Sequence, residues 1–337
     1  MIAGRRILVT GGSGFIGRQV VRSLSAAGAR VRVVDLRPHP DSDVEIVVGD
    51  MLDEAVRNAA LDGGIDGVVH LAAITSVLGS IEQPELTFRT NVDGTHLMLE
   101  AARAAGAGAF VLASTNAVTG PMETPAITER SRLRPMTPYG ATKAAGEMLM
   151  SAYTQVYGVR CTALRLTNVY GPGMQAKDSI VARLMRIVLA GGTFEVYGDG
   201  AQVRDYVNSL DVADAVERAL GDESWSGPVV IGSGVSLSVL DVVDEVSRAT
   251  GIPIALRHGP ARAGEMPAVI VDNSYGASLG WSPVYDFARG VRDVWEEWRQ
   301  TGPRAAVSGA GRPGAEGGAG PSAASASSER SRCGATG

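Results

Sequence analysis

Short apolar runs alternate with amphipathic stretches along the first half of the chain. Five of these runs predict strands, at residues 7–10, 31–36, 44–50, 67–71 and 109–114. Their apolar character is continuous, which is typical of strands covered on both faces. The stretches between them, among them 15–27 and 87–105, have the periodicity of amphipathic helices. Repeated strand–helix–strand units predict an α/β fold with a doubly wound parallel sheet.

The second half of the chain is less regular. A helix at 138–157 and a strand at 161–168 continue the pattern, and further helices are predicted at 179–190, 210–220, 237–250 and 287–300. We expect 1–170 to form a Rossmann domain whose sheet is completed by 228–232. A smaller mixed α/β lobe over 171–301 would mainly bind substrate. The segment 302–337 is expected to be a disordered tail, because 27 of its 36 residues are Gly, Ala, Ser or Pro.

Composition narrows the range of functions. The chain has 36 acidic and 31 basic residues and a net charge of −5, which disfavours nucleic-acid binding. Its two cysteines, Cys161 and Cys333, have no paired spacing and its four histidines are scattered, so we expect neither a disulfide framework nor a metal site. No apolar run reaches the ~18 residues of a membrane span. These features favour a soluble, cytoplasmic protein that does not bind membranes.

A glycine-rich loop follows the first predicted strand. Its sequence is GGSGFIG, with Gly11, Gly14 and Gly17 at the spacing of loops that bind dinucleotides. The first glycine of such a loop makes a tight turn and the second lets the backbone approach a pyrophosphate. The third permits close packing of the helix that follows, whose N-terminus faces the anion. The loop therefore predicts a dinucleotide cofactor.

Acidic residues after the next two strands bear on which dinucleotide binds. Asp35 ends the second predicted strand, where a carboxylate binds the adenosine ribose hydroxyls and repels a 2′-phosphate. It favours NAD over NADP, although the nearby Arg37 argues for NADP. Asp50 follows the third strand and is expected to meet the adenine amine, with Met51 beside it.

The sequence PYGATK places Tyr139 and Lys143 on a helix that begins at Pro138. A separation of four residues puts both side chains on one face of that helix. A phenol with a pKa of about 10 is a poor base at neutral pH, and a neighbouring ammonium is expected to lower that pKa. Thr115 follows the fifth strand, where its hydroxyl would bind a substrate oxygen beside Tyr139. These residues predict proton transfer at a substrate hydroxyl.

Together these elements resemble the extended branch of the short-chain dehydrogenase/reductase superfamily, which acts on nucleotide sugars, and within it the UDP-galactose 4-epimerase-like enzymes. The resemblance covers roughly residues 5–300 and includes GGSGFIG, HLAA, NVDGT, STNAV, YGATK, LRLTNVYGPG and YGDGAQVRDYV. It implies an NAD cofactor, a nucleotide-sugar substrate, and a homodimer formed through the 87–105 and 138–157 helices.

The resemblance also implies roles for individual residues. Thr115, Tyr139 and Lys143 match the family's catalytic triad. The cofactor site is matched by Gly11, Gly14, Phe15, Ile16, Gly17, Asp35, Asp50, Met51, Leu71, Ala72, Ala73, Asn91, Tyr139 and Lys143. The substrate site is matched by Thr115 for the sugar, Asn168, Arg204 and Arg262 for the diphosphate, Tyr197 for the base, and Glu265, where the family has Asp, for the nucleotide ribose.

Two departures from the family bear on the reaction. Dehydratases carry a Thr-Asp-Glu run where this chain has Asn116 and Ala117 after Thr115, and neither of these side chains serves as an acid or a base. Decarboxylases commonly carry an acid at the position of Ala117 and an arginine at that of Gly173. We therefore expect a 4-epimerase, which needs only the tyrosine, the cofactor and room for a keto sugar to turn over.

Other interpretations of the chain stay open. A decarboxylase, dehydratase or reductase of the same fold uses closely related residues, and a catalytically idle NAD-binding regulator is a further alternative. The residues also leave open whether the nucleotide is UDP or dTDP and which sugar it carries.

Overall fold

The computed structural model describes residues 2–261 and 268–301. Within them the strands are β1 (Arg6–Thr10), β2 (Arg30–Asp35), β3 (Glu45–Val48), β4 (Gly67–His70), β5 (Ala109–Thr115), β6 (Arg160–Leu166), β7 (Asn168–Tyr170), β8 (Thr193–Tyr197), β9 (Val203–Asn208), β10 (Gly227–Ile231), β11 (Ser236–Ser238) and β12 (Ala255–Gly259). The α-helices are α1 (Phe15–Ala26), α2 (Glu54–Leu61), α3 (Val77–Glu82), α4 (Pro84–Phe88), α5 (Gly94–Ala104), α6 (Pro138–Tyr157), α7 (Ile180–Ala190), α8 (Ser209–Gly221), α9 (Val239–Thr250), α10 (Ser274–Ser278) and α11 (Phe287–Thr301).

The main sheet has seven parallel strands in the order β3-β2-β1-β4-β5-β6-β10. The order reverses between β1 and β4, so the carboxyl ends of these two strands flank a crevice of the kind that holds ligands in doubly wound folds. The strand β10 comes from the second half of the chain and lies beside β6. The predicted α/β class with a doubly wound parallel sheet is confirmed.

Alternate residues of the strands point into two separate apolar cores. Ile7 and Val9 of β1 pack in the core that α1 and α8 cover, whereas Leu8 packs in the core covered by α2, α5 and α6. Because both faces of the sheet are buried, the strands need apolar residues at every position. This explains why the apolar runs in the sequence are continuous.

A third core lies among the elements that follow β6. It is formed by buried side chains of β7, β8, β9, α7, α9 and α11. Two small sheets, β11-β9-β7 and β12-β8, belong to this part of the molecule. The strand predicted over 161–168 is wrong at its end, because the chain leaves the main sheet after Leu166 and Asn168 begins β7 beside β9.

Some expectations concern residues outside the described part of the chain. Arg262, Glu265 and the segment 302–337, with Cys333, belong to this group. Among the described residues, no helix combines the length and the apolar character needed to cross a lipid bilayer.

Candidate active site

The glycine-rich loop joins β1 to α1 at the carboxyl edge of the sheet. Gly11 has φ +72°, and a Cβ on it would lie 2.8 Å from the backbone nitrogen of Ala72. A Cβ on Gly17 would collide with the carbonyl oxygen of Gly11. Among the residues that the structure describes, no side chain caps the N-terminus of α1, which leaves its first N–H groups available to an anion. A cradle closed to side chains and rich in backbone donors fits a dinucleotide pyrophosphate.

Asp35 lies beside this loop at the end of β2. Its carboxylate accepts hydrogen bonds from the N–H groups of Ser13 and Arg37, each at 3.1 Å. These contacts hold the half-buried carboxylate at the rim of the cradle, where a ribose hydroxyl would meet it. Asp50 is exposed and accepts the N–H of Leu52 at 2.9 Å, whereas Met51 beside it is buried.

Residues 71–74, which we call the cofactor strap, follow β4 at the same edge. They comprise Leu71, Ala72, Ala73 and Ile74, all half-buried. Asn91 holds Ile74 on both sides, because its Oδ1 accepts the Ile74 N–H at 2.8 Å and its Nδ2 donates to the Ile74 carbonyl at 3.0 Å. The backbone of the strap is therefore fixed by a buried side chain.

Asn91 lies in an irregularity that the sequence does not predict. The helix expected over 87–105 is interrupted, because α4 ends at Phe88 and Arg89–Asp93 form a π-helical turn before α5. Such turns often occur at functional sites. The second Nδ2–H of Asn91 donates to Thr142 of α6 at 3.0 Å. Both donors of the Asn91 amide are thus used within the protein, so we assign it to positioning rather than to direct cofactor contact.

The helix α6 presents the tyrosine and the lysine. Thr137 caps it by accepting the N–H of Gly140 at 3.1 Å, and Pro138 takes the first helical position. The N–H of Tyr139 donates to the buried Ser80 hydroxyl at 3.1 Å, which fixes the start of the helix. The side chain of Thr115, at the end of β5, lies close enough to the phenol of Tyr139 to influence its pKa. The structure therefore brings Thr115, Tyr139 and Lys143 to one edge of the sheet.

Burial changes the acidity of both titratable groups on α6. It raises the pKa of Tyr139 to about 12, and the neighbouring Thr115 side chain offsets this only in part. It lowers the pKa of Lys143 to about 8. The expectation that Lys143 lowers the pKa of Tyr139 is wrong for the protein without cofactor, because desolvation of the phenolate outweighs the other influences. Tyr139 needs a further positive charge to act as a base near neutral pH.

A buried ion pair anchors α6 to the sheet. Glu147, one turn beyond Lys143, pairs with Arg165 of β6 through hydrogen bonds of 2.8–3.2 Å, and both side chains are buried. Glu147 also accepts the hydroxyl of Ser114 at 2.5 Å, next to Thr115 on β5. The pair therefore ties the helix that carries Tyr139 to the strand that carries Thr115. The sequence analysis missed it, although the spacing of Glu147 from Lys143 places both on the face turned to the sheet.

Three of the residues assigned to the substrate line one cleft of about 300 Å³ beyond the carboxyl edge. They are Asn168 of β7, Tyr197 of β8 and Arg204 of β9. Asn168 is exposed and donates one amide N–H to the carbonyl of Asp205 at 2.9 Å. Since Thr115 of β5 is in register with Leu166 of β6, Asn168 begins only two residues beyond the strand position beside Thr115. Asn168 thus brings one side of the cleft close to the end of β5.

Asp205 is a further residue that the sequence analysis missed. Its buried carboxylate accepts four hydrogen bonds, from the hydroxyls of Thr167 and Ser233 and from the N–H groups of Ser233 and Gly234, at 2.7–2.9 Å. These bonds join β9, which carries Arg204, to the end of β10. The adjacent arginine in QVRDY is the only signal in the sequence that draws attention to it.

Comparison with known proteins shows which families and enzymes this chain is similar to. Residues 7–232 match the model of the NAD dependent epimerase/dehydratase family. A UDP-glucose 4-epimerase of Mycolicibacterium smegmatis is 33% identical over 308 residues, which cover 87% of this chain and 98% of that protein. A dTDP-glucose 4,6-dehydratase of Streptomyces niveus is 33% identical over 313 residues, covering 87% and 93% respectively.

A solved structure agrees with both the fold and the cofactor. The UDP-glucose 4-epimerase of Thermus thermophilus, in complex with NAD, superposes with a TM-score of 0.82 at 34% identity, covering 87% of this chain and 99% of that one. The matched region includes the glycine-rich loop, the cofactor strap and α6. On these grounds the chain belongs to the NAD-dependent epimerase/dehydratase family, and its cofactor is NAD.

Proposed function

We propose that this protein is an NAD-dependent nucleotide-sugar 4-epimerase. The observation that carries the proposal is the closeness of Thr115 to Tyr139, with Lys143 on the same helix face and no acidic side chain at the two positions after Thr115. A proton-transfer group beside NAD, without a second acid or base, suits oxidation and reduction at one carbon. It does not suit elimination of water.

The residues of the cradle would hold the cofactor. Gly11, Gly14 and Gly17 admit its pyrophosphate, with Phe15 and Ile16 in the first turn of α1, and Asp35 binds its adenosine ribose. Held there, NAD would supply a hydride acceptor for a sugar carbon and, in its oxidised form, a positive charge in the site.

Each residue around the sugar has a separate task in this proposal. Tyr139 takes the proton of the sugar 4-hydroxyl and gives it back, and the hydroxyl of Thr115 holds the 4-oxygen in line with the phenol. Lys143 binds the nicotinamide ribose, and its charge supports the phenolate. A positive charge from the cofactor ring supplies the further stabilisation that a phenol with a pKa of about 12 requires.

The cleft beyond the sheet suits the rest of the substrate. Asn168 and Arg204 would bind the diphosphate and Tyr197 would pack against the base, with Arg262 and Glu265 completing the site for the second phosphate and the ribose. Gripping the substrate by its diphosphate lets the 4-keto sugar turn over and present its other face for reduction. We propose that 171–301 forms this substrate lobe and 1–170 the cofactor domain.

An NMR assay on a panel of sugar nucleotides tests the proposal. The purified protein is incubated with UDP- and dTDP-sugars, and inversion at C4, loss of water and loss of CO₂ are read in the same spectra. We expect inversion alone. We also expect Tyr139→Phe to lower kcat by about 10²–10⁴-fold, the usual contribution of a general acid–base group. Near-normal turnover by Tyr139→Phe would contradict the role of the phenol.

A 4,6-dehydratase is the second candidate, because a dehydratase is as similar to this chain as an epimerase is. Asn116 and Ala117 argue against it, since neither provides an acid for expelling the 6-hydroxyl. Water loss from a dTDP- or UDP-hexose in the same assay would establish it instead. Loss of CO₂ from UDP-glucuronate would establish a decarboxylase.

We also propose that two copies associate through α5 and α6. Exposed apolar side chains recur along one face of α6, at Ala141, Met148, Ala152 and Val156. Positions spaced this way form a continuous seam on a helix surface. An exposed apolar seam on a helix favours burial against a partner, and a second copy is the partner that the family resemblance implies.

A further inference from the structure

His70 is a completely buried residue that the proposed reaction does not use. It ends β4 and begins the HLAA motif, so that the cofactor strap follows it directly. Its Nδ1 lies 2.8 Å from the hydroxyl of Thr10 at the end of β1. Its Nε2 lies 3.1 Å from the hydroxyl of Thr95 in α5. Both ring nitrogens are therefore engaged by hydroxyl groups.

The neighbours of Thr95 determine which ring nitrogen carries the proton. The Thr95 hydroxyl lies 2.6 Å from the carbonyl oxygen of Asn91, and a carbonyl only accepts, so Thr95 donates to Asn91. Thr95 must then accept from His70, which places the proton on Nε2. Burial and the nearby Lys143 charge lower the pKa of His70 to about 3, so the ring is neutral and its Nδ1 accepts from Thr10.

The two ends of this chain reach the two halves of the active site. At one end, the Thr10 oxygen accepts the N–H of Ala72 in the cofactor strap at 3.2 Å. At the other end, Asn91 donates to Thr142, whose hydroxyl donates to the carbonyl of Tyr139 at 2.8 Å. Asn91 also holds Ile74 of the strap, as described above.

We propose that His70 is a positioning residue, and that its neutral Nε2–H form sets one direction of hydrogen bonding from the cofactor strap through Thr10 and Thr95 to the helix of Tyr139. In the opposite tautomer the proton is on Nδ1, so Nε2 has no hydrogen to donate to Thr95. Nδ1 then donates to the Thr10 oxygen, which already accepts from the N–H of Ala72. That arrangement reverses the direction of the hydrogen bonds between Thr10, His70 and Thr95 and weakens the bond between Thr10 and the N–H of Ala72. Because the His70 ring is connected to the cofactor strap through Thr10 and to α6 through Thr95 and Asn91, it fixes the positions of these two elements relative to each other. The catalytic part of this inference rests on the proposed function, whereas the cofactor part rests only on the NAD site.

Ring NMR of the holoenzyme tests the tautomer directly. The protein is labelled with ¹⁵N-histidine, and the four histidine rings are assigned with the variants His39→Gln, His96→Gln and His258→Gln. We expect one ring with a protonated Nε2 and a bare Nδ1 that does not titrate between pH 5 and 9. A protonated Nδ1 on His70, or titration of His70 in this range, would overturn the proposal.

Variants that each lack one hydroxyl group test whether these hydrogen bonds position the cofactor strap and α6. Thr10→Val removes the hydroxyl that connects His70 to Ala72, and Thr95→Val removes the hydroxyl that connects His70 to Asn91. Valine has nearly the shape of threonine, so the packing changes little. Thr162→Val is the control, because its buried hydroxyl donates to the Trp225 carbonyl at 2.8 Å away from both elements. We expect Thr10→Val to raise the Kd for NAD about tenfold, the effect of one buried hydrogen bond, with a smaller change in kcat.

For Thr95→Val we expect the reverse, a fall in kcat of about tenfold with a smaller change in the Kd for NAD. If both variants lose stability as Thr162→Val does and leave Kd and kcat at the control's values, His70 serves only packing and the proposal fails. Were the protein to convert no sugar nucleotide, the proposed function would fail, while the ring spectra and the Kd for NAD would still decide this inference.

Discussion

The phenol of Tyr139 lies beside Thr115 and yet has a pKa of about 12 in the protein alone. The phenol is positioned for proton transfer, but its pKa is too high for it to act as a base near neutral pH. Lys143, the expected source of positive charge, is itself buried and loses its proton near pH 8. We therefore expect a bound oxidised cofactor to supply the missing positive charge, which would couple proton transfer to the presence of NAD.

This coupling predicts a difference between the oxidised and reduced holoenzymes. We expect Tyr139 to ionise at a lower pH with NAD bound than with NADH, because the positive ring stabilises the phenolate and the neutral ring does not. Absorbance of tyrosinate, taken as the difference between wild type and Tyr139→Phe during a pH titration, measures this. Equal pKa values in the two redox states would refute the coupling.

A second prediction concerns the stability cost of burying Lys143. Its folded pKa of about 8 lies below its ordinary value of 10.5, so the unfolded chain binds more protons between these pH values. The free energy of unfolding of the wild type therefore gains from this residue as pH rises from 8 to 10.5. In cofactor-free protein at pH 7 we expect Lys143→Met to be more stable than wild type, by up to about 3 kcal/mol.

Urea unfolding at pH 7 and pH 10.5 measures this gain, which should largely disappear at the higher pH. Lys177→Met is the comparison, because Lys177 is the other lysine of the chain and is only half-buried; burial lowers its pKa too, so we expect a smaller gain of the same kind. A gain for Lys143→Met that does not depend on pH would mean that packing, not charge, is responsible.

The third prediction tests the closed cradle. Gly17→Ala places a methyl group against the carbonyl of Gly11, and we expect a loss of about 1–3 kcal/mol in stability from overpacking, with weaker NAD binding. Gly108→Ala is the control, since the nearest atom to its new Cβ, the Asp66 carbonyl oxygen, is 3.9 Å away. Titration of both variants with NAD measures the effect. Normal NAD binding by Gly17→Ala would show that the close packing of Gly17 against Gly11 is not needed to shape the cradle.

Among the elements, α6 carries the most information about the reaction. It presents Tyr139 and Lys143 toward the crevice, and Glu147 fastens it to β6 and β5 through Arg165 and Ser114. An ion pair so deeply buried seldom adds net stability compared with an apolar pair, because both charges lose their hydration. Its value here is geometric, since it holds the Tyr139 helix at a set distance from Thr115.

Breaking this pair on one side gives the fourth prediction. Glu147→Ala leaves the buried Arg165 charge without its carboxylate partner, with only the carbonyls of Thr128 and Glu129 as acceptors, and we expect a loss of about 3–5 kcal/mol in the free energy of unfolding. Asp214→Ala, which breaks the exposed pair with Arg218 on α8, should cost less than about 1 kcal/mol. Urea unfolding compares the two variants.

The double variant Glu147→Leu with Arg165→Met separates stability from positioning. It should regain most of the lost stability, because no unpaired charge remains. Its kcat should stay low, since Ser114 has lost its acceptor and Thr115 its fixed distance from Tyr139. Full recovery of kcat would show that the ion pair has no positioning role.

Over the whole molecule, the cofactor cradle lies at the carboxyl edge of the main sheet, and the cleft lined by Asn168, Tyr197 and Arg204 lies among the elements that follow β6. The seam on α6 lies on the outer surface of the helix whose inner face carries the catalytic groups. Association of two copies there would brace that helix from outside.

A fifth prediction tests the association. The double variant Met148→Glu with Val156→Glu puts charges into the seam, and we expect the mass in solution to fall from a dimer to a monomer because the buried charges would lack partners. Val284→Glu, at an exposed residue outside α6, is the control and should leave the mass unchanged. Light scattering after size exclusion measures both. A monomeric wild type would refute the proposal.

Much of this site was predictable because its chemistry is local. The glycine spacing, the acid after β2 and the four-residue separation of Tyr139 from Lys143 each depend on a few adjacent positions. The continuous apolar strands likewise predicted a sheet covered on both faces. Contacts between distant segments left no such pattern: the π-helical turn at Asn91 follows from its bonds to Ile74 and Thr142, which lie 17 and 51 positions away.

The chain alone thus specified which groups are present and in what order along the strands and helices, because propensity and periodicity act over short distances. Folding determined the protonation and the contacts of these groups. Burial sets the acidity of Tyr139 and Lys143, the carbonyl of Asn91 selects the proton position on His70, and Arg165 finds Glu147 only when β6 and α6 pack together. Desolvation and hydrogen bonding depend on every neighbour in three dimensions, so these properties exist only once the tertiary structure has formed.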